Sequence, residues 1–231
     1  MPSETMPQTA KGVLAAVASN VLFAMLFLYS SWMKPMNGTD VFAWRMVGML
    51  FALFALASLT HSWQGALNFA AGIGKDWKRW LLVILPTPIL ASQLWLFVWS
   101  PVNGEGINVA MGYFLFPLAM MLVGKERLGG PQRLAVTLAC AGVACQLWRN
   151  GAFSWATVWV FGTYPLYYLL RRKLGVPSLI GLLIDLIIIT PCMLVYVVFF
   201  SDSPGMIAAQ PSLIAFIVLI GINSALAMYL N

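Results

Sequence analysis

The sequence predicts an all-α fold, a polytopic bundle of transmembrane helices. Hydrophobic residues make up 61% of the 231 positions, charged residues only 9%, and the mean hydropathy is +0.86. A soluble domain usually carries about 25% charged residues, so this composition is that of a chain whose solvent is lipid. Within a single apolar segment, only a helix satisfies all the backbone hydrogen-bonding groups that lipid leaves without water.

Eight apolar segments follow one another along the chain. Each is close to the roughly 20 residues that cross a ~30 Å hydrocarbon core. Short connections rich in turn residues, such as KPMNGTD and SDSPG, separate them. Pro86 and Pro88 are expected to interrupt the third segment, because proline removes a backbone hydrogen bond. The predicted helices cover about 12–33, 39–60, 78–99, 107–123, 131–148, 152–170, 178–200 and 211–230.

The distribution of lysine and arginine predicts the orientation. Ten of these residues fall on one side of the predicted membrane and two, Lys34 and Arg149, on the other. Cytoplasmic loops carry such an excess, so both ends of the eight-helix chain are expected in the cytoplasm. For the same reason the net charge of +6 does not indicate a nucleic-acid partner. The ten are Lys11, Lys75, Lys78, Arg79, Lys125, Arg127, Arg133, Arg171, Arg172 and Lys173.

Catalytic, metal and cofactor motifs are missing from the sequence. It has a single histidine, and it has no HExxH, GxSxG, P-loop or dinucleotide-binding fingerprint. Cys140, Cys145 and Cys192 lie within apolar segments without metal-ligand spacing, and we expect them to be small buried side chains. The sequence therefore predicts a protein that is not an enzyme and that binds no cofactor or metal.

Two charges inside apolar segments, Arg45 and Asp185, are the most informative candidates. Arg45 lies 11 residues after Lys34, and Asp185 lies 12 residues after Lys173, so each charge lies a little inside the second helix of a group. The first helices of the two groups run in opposite directions, which is the pattern of an inverted five-helix repeat in a secondary transporter. We expect the two charges to contact the solute or a coupling ion. Two alternatives stay open: the charges neutralise each other as a structural lock, or Arg45 extends to the outer surface.

Further polar and aromatic side chains are expected to face the same interior. Amides and aromatic rings suit an organic solute with an apolar body, although these residue types are also common at membrane interfaces and in helix packing. Tyr164, Tyr167 and Tyr168 share one helix face at i, i+3 and i+4 spacing. The candidates for the cavity are Arg45, Asp185, Asn20, Gln93, Trp95, Asn108, Tyr113, Tyr164 and Tyr168, with Asn223 and Ser224 in the eighth segment.

Several motifs resemble those of a known family. They are WR at Trp44–Arg45, QLWLFVW at Gln93–Trp99, GYF at Gly112–Phe114, KER at Lys125–Arg127 and QLW at Gln146–Trp148. From about Lys11 to about Val198 the chain resembles the RarD-like permeases of the EamA family, in the drug/metabolite transporter superfamily. The resemblance implies ten helices in two inverted five-helix repeats, cytoplasmic termini, and transport of small organic molecules across the bacterial inner membrane.

The chain is expected to hold eight of those ten helices. Its predicted organisation is a disordered cytoplasmic N-terminus at 1–10, a first repeat at 11–148 and an incomplete second repeat at 149–231. The predicted function is secondary transport of a small organic metabolite or drug-like solute through a central cavity by alternating access. The alternative is a truncated, non-transporting permease that binds or docks another membrane partner. The expected partners are membrane lipids and a small organic solute, with a protein partner or a homo-oligomer left open.

Overall fold

A computed structural model describes residues 8–60, 63–124, 129–150, 154–175 and 178–230. The regular elements within these ranges are all α-helices. In chain order they are α1 (Gln8–Trp32), α2 (Gly38–Leu59), α3 (Trp63–Ile73), α4 (Trp77–Ile84), α5 (Thr87–Val102), α6 (Gly106–Gly124), α7 (Gly130–Asn150), α8 (Trp155–Leu174), α9 (Ser178–Phe200), α10 (Ser203–Ala209) and α11 (Ser212–Leu230).

The predicted helices are confirmed, with one division and two additions. Seven of the eight correspond to single helices whose ends differ from the prediction by at most four residues. The third is divided into α4 and α5, and Pro86 and Pro88 lie at the start of α5, as the predicted interruption requires. The short helices α3 and α10 were not predicted. Because α1 begins at Gln8, it includes the end of the segment predicted to be disordered, whose first seven residues lie outside the described ranges.

Five stretches of the described chain are long and apolar enough to cross a membrane. They are Gly12–Trp32, Gly38–Leu59, Trp77–Val102, Leu179–Phe200 and Ser212–Tyr229. Shorter apolar stretches lie within α6 and α7. The helix α8 has the required length, but its tryptophans, tyrosines and terminal arginines make it less apolar. Residues 125–128, which hold the KER motif, lie outside the described ranges.

The chain divides into two compact units, and the boundary falls inside α9. Unit 1 comprises Met1–Gln64 with Leu186–Asn231. In this unit α11 packs against both α1 and α2. The helices α2 and α11 approach closely at two glycines: a Cβ added to Gly48 would lie 2.8 Å from the carbonyl oxygen of Ile217 and 3.2 Å from the Cα of Gly221. Small residues at such crossings let membrane helices come into backbone contact.

Unit 2 comprises Gly65–Asp185. Its most extensive packing is between α6 and α8, and α5 packs against both. The core of this contact is formed by Leu96, Val109, Ala156 and Val160, all of which are buried. This packing brings together the side chains of three helices that carry most of the predicted site residues.

The compact units combine helices of both predicted repeats. Unit 1 joins α1 and α2, which belong to the predicted first repeat, with α10 and α11 of the second. A compact unit reflects packing, whereas a repeat is a relation of symmetry, so the division into repeats at 11–148 and 149–231 stays a prediction.

The expectation of buried cysteines is wrong for two of the three. Cys145 and Cys192 are exposed, and Cys140 is half-buried. An apolar segment does not imply burial in a membrane protein, because lipid is as apolar a surrounding as the protein interior.

Candidate functional site

A buried ion pair joins α8 to α9 within unit 2. Nη2 of Arg171 donates to Oδ1 of Asp185 over 2.5 Å. Asp185 is fully buried and Arg171 is 8% exposed. Arg171 lies in the last turn of α8, whereas Asp185 lies about two turns into α9. Taking both charges out of water is costly, and further hydrogen bonds to the pair offset part of that cost.

Two hydroxyl groups supply further hydrogen bonds to the acid. Oγ1 of Thr87 donates to Oδ1 of Asp185 over 2.5 Å, and the hydroxyl of Tyr167 donates to Oδ2 over 3.3 Å. Thr87 is the first residue of α5, directly after the break that separates α5 from α4. The carboxylate is therefore held by α5 and α8 together, at the point where α9 carries it into the core of the unit.

An aromatic cluster extends from Tyr167 towards α6. We define the tyrosine cluster as Tyr113 and Phe116 of α6 with Tyr164, Tyr167 and Tyr168 of α8. The ring of Tyr164 is central: its centroid lies 5.6 Å from that of Tyr113, 5.0 Å from that of Phe116 and 5.1 Å from that of Tyr168. These distances are typical of attractive aromatic pairs. All five rings are half-buried, so each keeps part of its surface uncovered by protein.

Gln93 connects the tyrosine cluster to α5. Its side chain is buried, and its Nε2 donates to Oγ1 of Thr163 over 2.8 Å. Its backbone carbonyl accepts a long hydrogen bond of 3.4 Å from the hydroxyl of Tyr113. Gln93, Tyr113, Tyr164 and Asp185 thus belong to one continuous set of contacts across α5, α6, α8 and α9.

Asn108 lies at the start of α6, in a second set of contacts, and Trp95 lies within α5. Nδ2 of Asn108 donates to the carboxylate of Glu105 over 2.8 Å, and the hydroxyl of Ser154 donates to the same carboxylate oxygen over 2.7 Å. Trp95 stacks on Trp99 with ring centroids 5.0 Å apart. Ser154 caps α8, so the hydrogen bonds to Glu105 connect the start of α6 with the start of α8 and serve the packing of the unit.

Arg45 lies in unit 1 and is fully buried. Its Nε donates to Oγ of Ser224 on α11 over 2.8 Å, and that hydroxyl donates to the carbonyl of Ile220 over 2.6 Å. An arginine that extended to the outer surface would be exposed, so the burial disfavours that alternative. Asn223, the neighbour of Ser224, donates through Nδ2 to the carbonyl of Leu22 over 3.2 Å.

Asn20 does not face the interior of unit 1. Its side chain is exposed and donates to the carbonyl of Ala16, one turn earlier in α1, over 2.8 Å. Asparagine in a helix can satisfy its amide on its own backbone, so a polar residue in an apolar segment needs no partner on another helix.

The structure thus assembles most of the predicted residues in one unit. Unit 2 holds seven of the nine, and Asp185 with Gln93, Tyr113, Tyr164 and Tyr168 form its connected core. Arg45 belongs to unit 1, so its expected relation to Asp185 stays a prediction. In the structure, Asp185 pairs with Arg171, which the sequence predicts only as a cytoplasmic cation.

A pattern in the sequence could have identified Arg171. It follows Tyr164, Tyr167 and Tyr168 at i+7, i+4 and i+3, so it continues the helix face that these tyrosines share. Thr87 and Thr163 give no such signal, because an uncharged hydroxyl in an apolar segment resembles any other threonine. Among the described residues, no group of three histidine, cysteine, aspartate or glutamate side chains is placed to hold a metal ion.

Comparison with known proteins gives relatives over nearly the whole chain. An "uncharacterized transporter" of Haemophilus influenzae is 42% identical over an alignment that covers 98% of this chain and 77% of the relative. The "chloramphenicol-sensitive protein RarD" of Pseudomonas aeruginosa is 33% identical, covering 95% of this chain and 75% of the relative. "Protein RarD" of Salmonella typhimurium is 27% identical over 85% of this chain and 67% of its own length. No family model and no solved structure matches the chain.

Proposed function

Because the chain belongs to the family of RarD-like permeases, we propose that it is a secondary transporter of a small organic metabolite or drug-like solute. Membership follows from relatives that are 42% and 33% identical and of which the chain covers 77% and 75%. The first of these relatives bears the name of a transporter, and this chain has the membrane-length apolar helices of a multi-pass membrane protein. The proposed mechanism is alternating access to a site inside the helical bundle.

The observation that carries the mechanism is the buried pair of Arg171 and Asp185 beside the tyrosine cluster. Ionisable residues inside a membrane protein are costly, and they commonly mark the path of a substrate or ion. Half-buried rings next to the pair offer an apolar surface of the kind that an organic solute needs. A charged pair alone would serve a structural role equally well, so the combination of the two features supports solute binding.

The proposed location is the bacterial inner membrane, with a cytoplasmic N-terminus. Two observations support it. The relatives named above come from bacteria. The lysine and arginine residues are strongly biased towards one side of the predicted membrane.

Transport by the purified full chain in liposomes tests the proposal. We would measure uptake of radiolabelled chloramphenicol, chosen because a relative's name carries it, together with a panel of amino acids and organic acids, under imposed proton and sodium gradients. We expect saturable uptake of at least one solute, and its loss in the double variant Arg171→Gln/Asp185→Asn. Arg79→Gln, at an exposed position of the same unit, is the control. Uptake that never exceeds that of protein-free liposomes would contradict the proposal.

A further inference from the structure

We propose that the solute is a carboxylate with an aromatic body: Arg171 binds its carboxylate, and the tyrosine cluster packs against its ring. The inference rests on the proposed function and names the chemical class that the site takes. It follows from the hydrogen-bonding state of the guanidinium group, from its position over an aromatic ring, and from the surfaces next to it.

Arg171 has donors left over after it pairs with Asp185. Nη2 donates to Asp185 and, over 3.4 Å, to the carbonyl of Gly181. Nε and Nη1 are buried and have no acceptor among the residues that the structure describes. A buried charged donor without an acceptor is strongly unfavourable, so these two nitrogens are the positions at which a ligand gains most by supplying oxygens.

The chemistry of these donors selects a carboxylate. Nε carries one N–H group and Nη1 carries two, and all of them belong to a permanent cation. Carboxylate oxygens are acceptors that form charge-assisted hydrogen bonds with guanidinium, and such bonds are about twice as strong as neutral ones. An amide or alcohol offers a single neutral oxygen and gains less. Lipid phosphate has similar acceptor chemistry, but Arg171 is only 8% exposed, which favours a small solute over a headgroup.

The tyrosine cluster supplies the surface for the body of the solute. The guanidinium carbon lies 5.6 Å from the ring centroid of Tyr167. The ring of Tyr167 is nearly parallel to that of Tyr164, at an interplanar angle of 12° and a centroid distance of 6.4 Å. Beyond them lie Tyr168 and Phe116, whose ring centroids are 5.3 Å apart. A solute whose carboxylate binds Arg171 would therefore place its own aromatic ring next to the tyrosine cluster. Aromatic rings prefer edge-to-face and offset contacts with one another.

Asp185 has a second role in this arrangement. It neutralises Arg171 when no solute is present, and it repels an incoming carboxylate because both are anions. Its replacement by asparagine keeps the shape and removes the negative charge. A purely structural pair predicts only a loss of stability in this variant, whereas a binding site predicts tighter binding of the carboxylate.

The test compares two probes that differ only in the charged group. Binding of 3-phenylpropanoate and of 3-phenylpropanamide to the purified full chain would be measured by isothermal titration calorimetry in a phosphate-free, non-ionic detergent. We expect the carboxylate to bind at least about tenfold more tightly than the amide. The two probes should bind with about equal affinity to the double variant Arg171→Gln/Asp185→Asn, which leaves no unpaired charge. Arg171→Lys should also weaken the preference, because lysine lacks the planar fork.

Further variants separate binding from folding. Asp185→Asn should bind the carboxylate several-fold more tightly than the wild type, Tyr168→Leu should weaken both probes, and Arg79→Gln should change neither. Equal affinity for the two probes, or a preference that survives in both Arg171 variants, would overturn the inference. Displacement of 3-phenylpropanoate by phosphatidylglycerol at a concentration below that of the probe would overturn the inference in favour of a lipid phosphate.

The outcome for the proposed function is separate. If neither probe binds while uncharged solutes are transported into liposomes, the carboxylate inference fails and the transporter proposal stands. If the carboxylate binds as expected but no solute on the panel crosses the membrane, the transport mechanism fails and the binding site stands.

Discussion

The ion pair between Arg171 and Asp185 differs in kind from the pair that the same unit has on its surface. Its carboxylate is fully buried and has two hydroxyl donors besides the guanidinium. The pair between Arg79 and Asp76 is 3.4 Å long, and its side chains are 66% and 47% exposed. A buried pair is costly to break because one unpaired charge remains in the interior, whereas an exposed pair contributes about 0–1 kcal/mol.

A double-mutant cycle should show this difference. Arg171→Gln and Asp185→Asn are each expected to lower the free energy of unfolding by about 3–5 kcal/mol, because each leaves its partner as an uncompensated buried charge. The double variant should lose less than the sum. Unfolding would be followed by circular dichroism in one detergent throughout. The matched control is Arg79→Gln with Asp76→Asn, for which we expect nearly additive effects. Additivity in both cycles would mean that the buried pair contributes no coupling.

At the scale of single residues, the sequence identifies one half of this pair. Asp185 is recognisable because it is an acid within a long apolar segment. Arg171 is followed by Arg172 and Lys173 at the end of a helix, and such a run of cations is the usual mark of a cytoplasmic connection. Whether one member of that run turns inward depends on the neighbouring helices, which a single sequence does not specify.

The break between α4 and α5 is an element that places a functional group. Pro86 and Pro88 end one helix and begin the next within a single apolar stretch, Trp77–Val102. Thr87 therefore occupies the first position of α5, from which its hydroxyl donates to Asp185. The two prolines predict the interruption from the sequence. Its use as the site of a hydrogen-bond donor becomes visible only when α9 is in place.

The helix crossing of α2 and α11 is an element contact that the sequence does not specify. Glycines are frequent in membrane helices, and nothing in the pattern of the chain distinguishes Gly48 and Gly221 from the others. The structure does distinguish them, since a Cβ added to Gly221 would lie 2.7 Å from the Cα of Gly48. A contact this close involves backbone on both sides, so neither helix can relieve it by moving a side chain.

We therefore expect Gly48→Ala and Gly221→Ala to destabilise the protein by about 1–3 kcal/mol each, the usual cost of overpacking. The control is Gly142→Ala in α7, where an added Cβ would meet nothing within 4 Å. That change should be neutral or stabilising by up to about 1 kcal/mol, because alanine favours a helix over glycine. Thermal unfolding of the three variants in the same detergent makes the comparison. Equal melting temperatures for Gly48→Ala and Gly142→Ala would contradict close packing at the crossing.

At the scale of the whole molecule, the predicted topology depends on how many elements cross the membrane. Neither α3 nor α10, the two helices that were not predicted, is long enough to add a crossing. The 11 residues of α3 extend about 16 Å and the 7 residues of α10 about 10 Å, both well short of a ~30 Å core. The divided pair α4 and α5 together form one apolar stretch of 26 residues, so it counts as a single crossing.

Reporter fusions should consequently give alternating sides along the chain. Fusions after Lys75, Lys125 and Arg172 are expected to report the cytoplasm, and fusions after Asn37, Asn103 and Asn150 the opposite side. The physical reason is the bias of lysine and arginine, ten on one side against two on the other.

The fusion after Lys75 tests α3, because a crossing by that helix would move the reporter to the outer side. The fusion after Asn103 tests whether α4 and α5 together cross the membrane. A cytoplasmic signal from this fusion would mean that they do not cross, and α1 and α8 would then run in the same direction. The inverted repeat that relates Arg45 to Asp185 requires them to run in opposite directions, so that single result would contradict it.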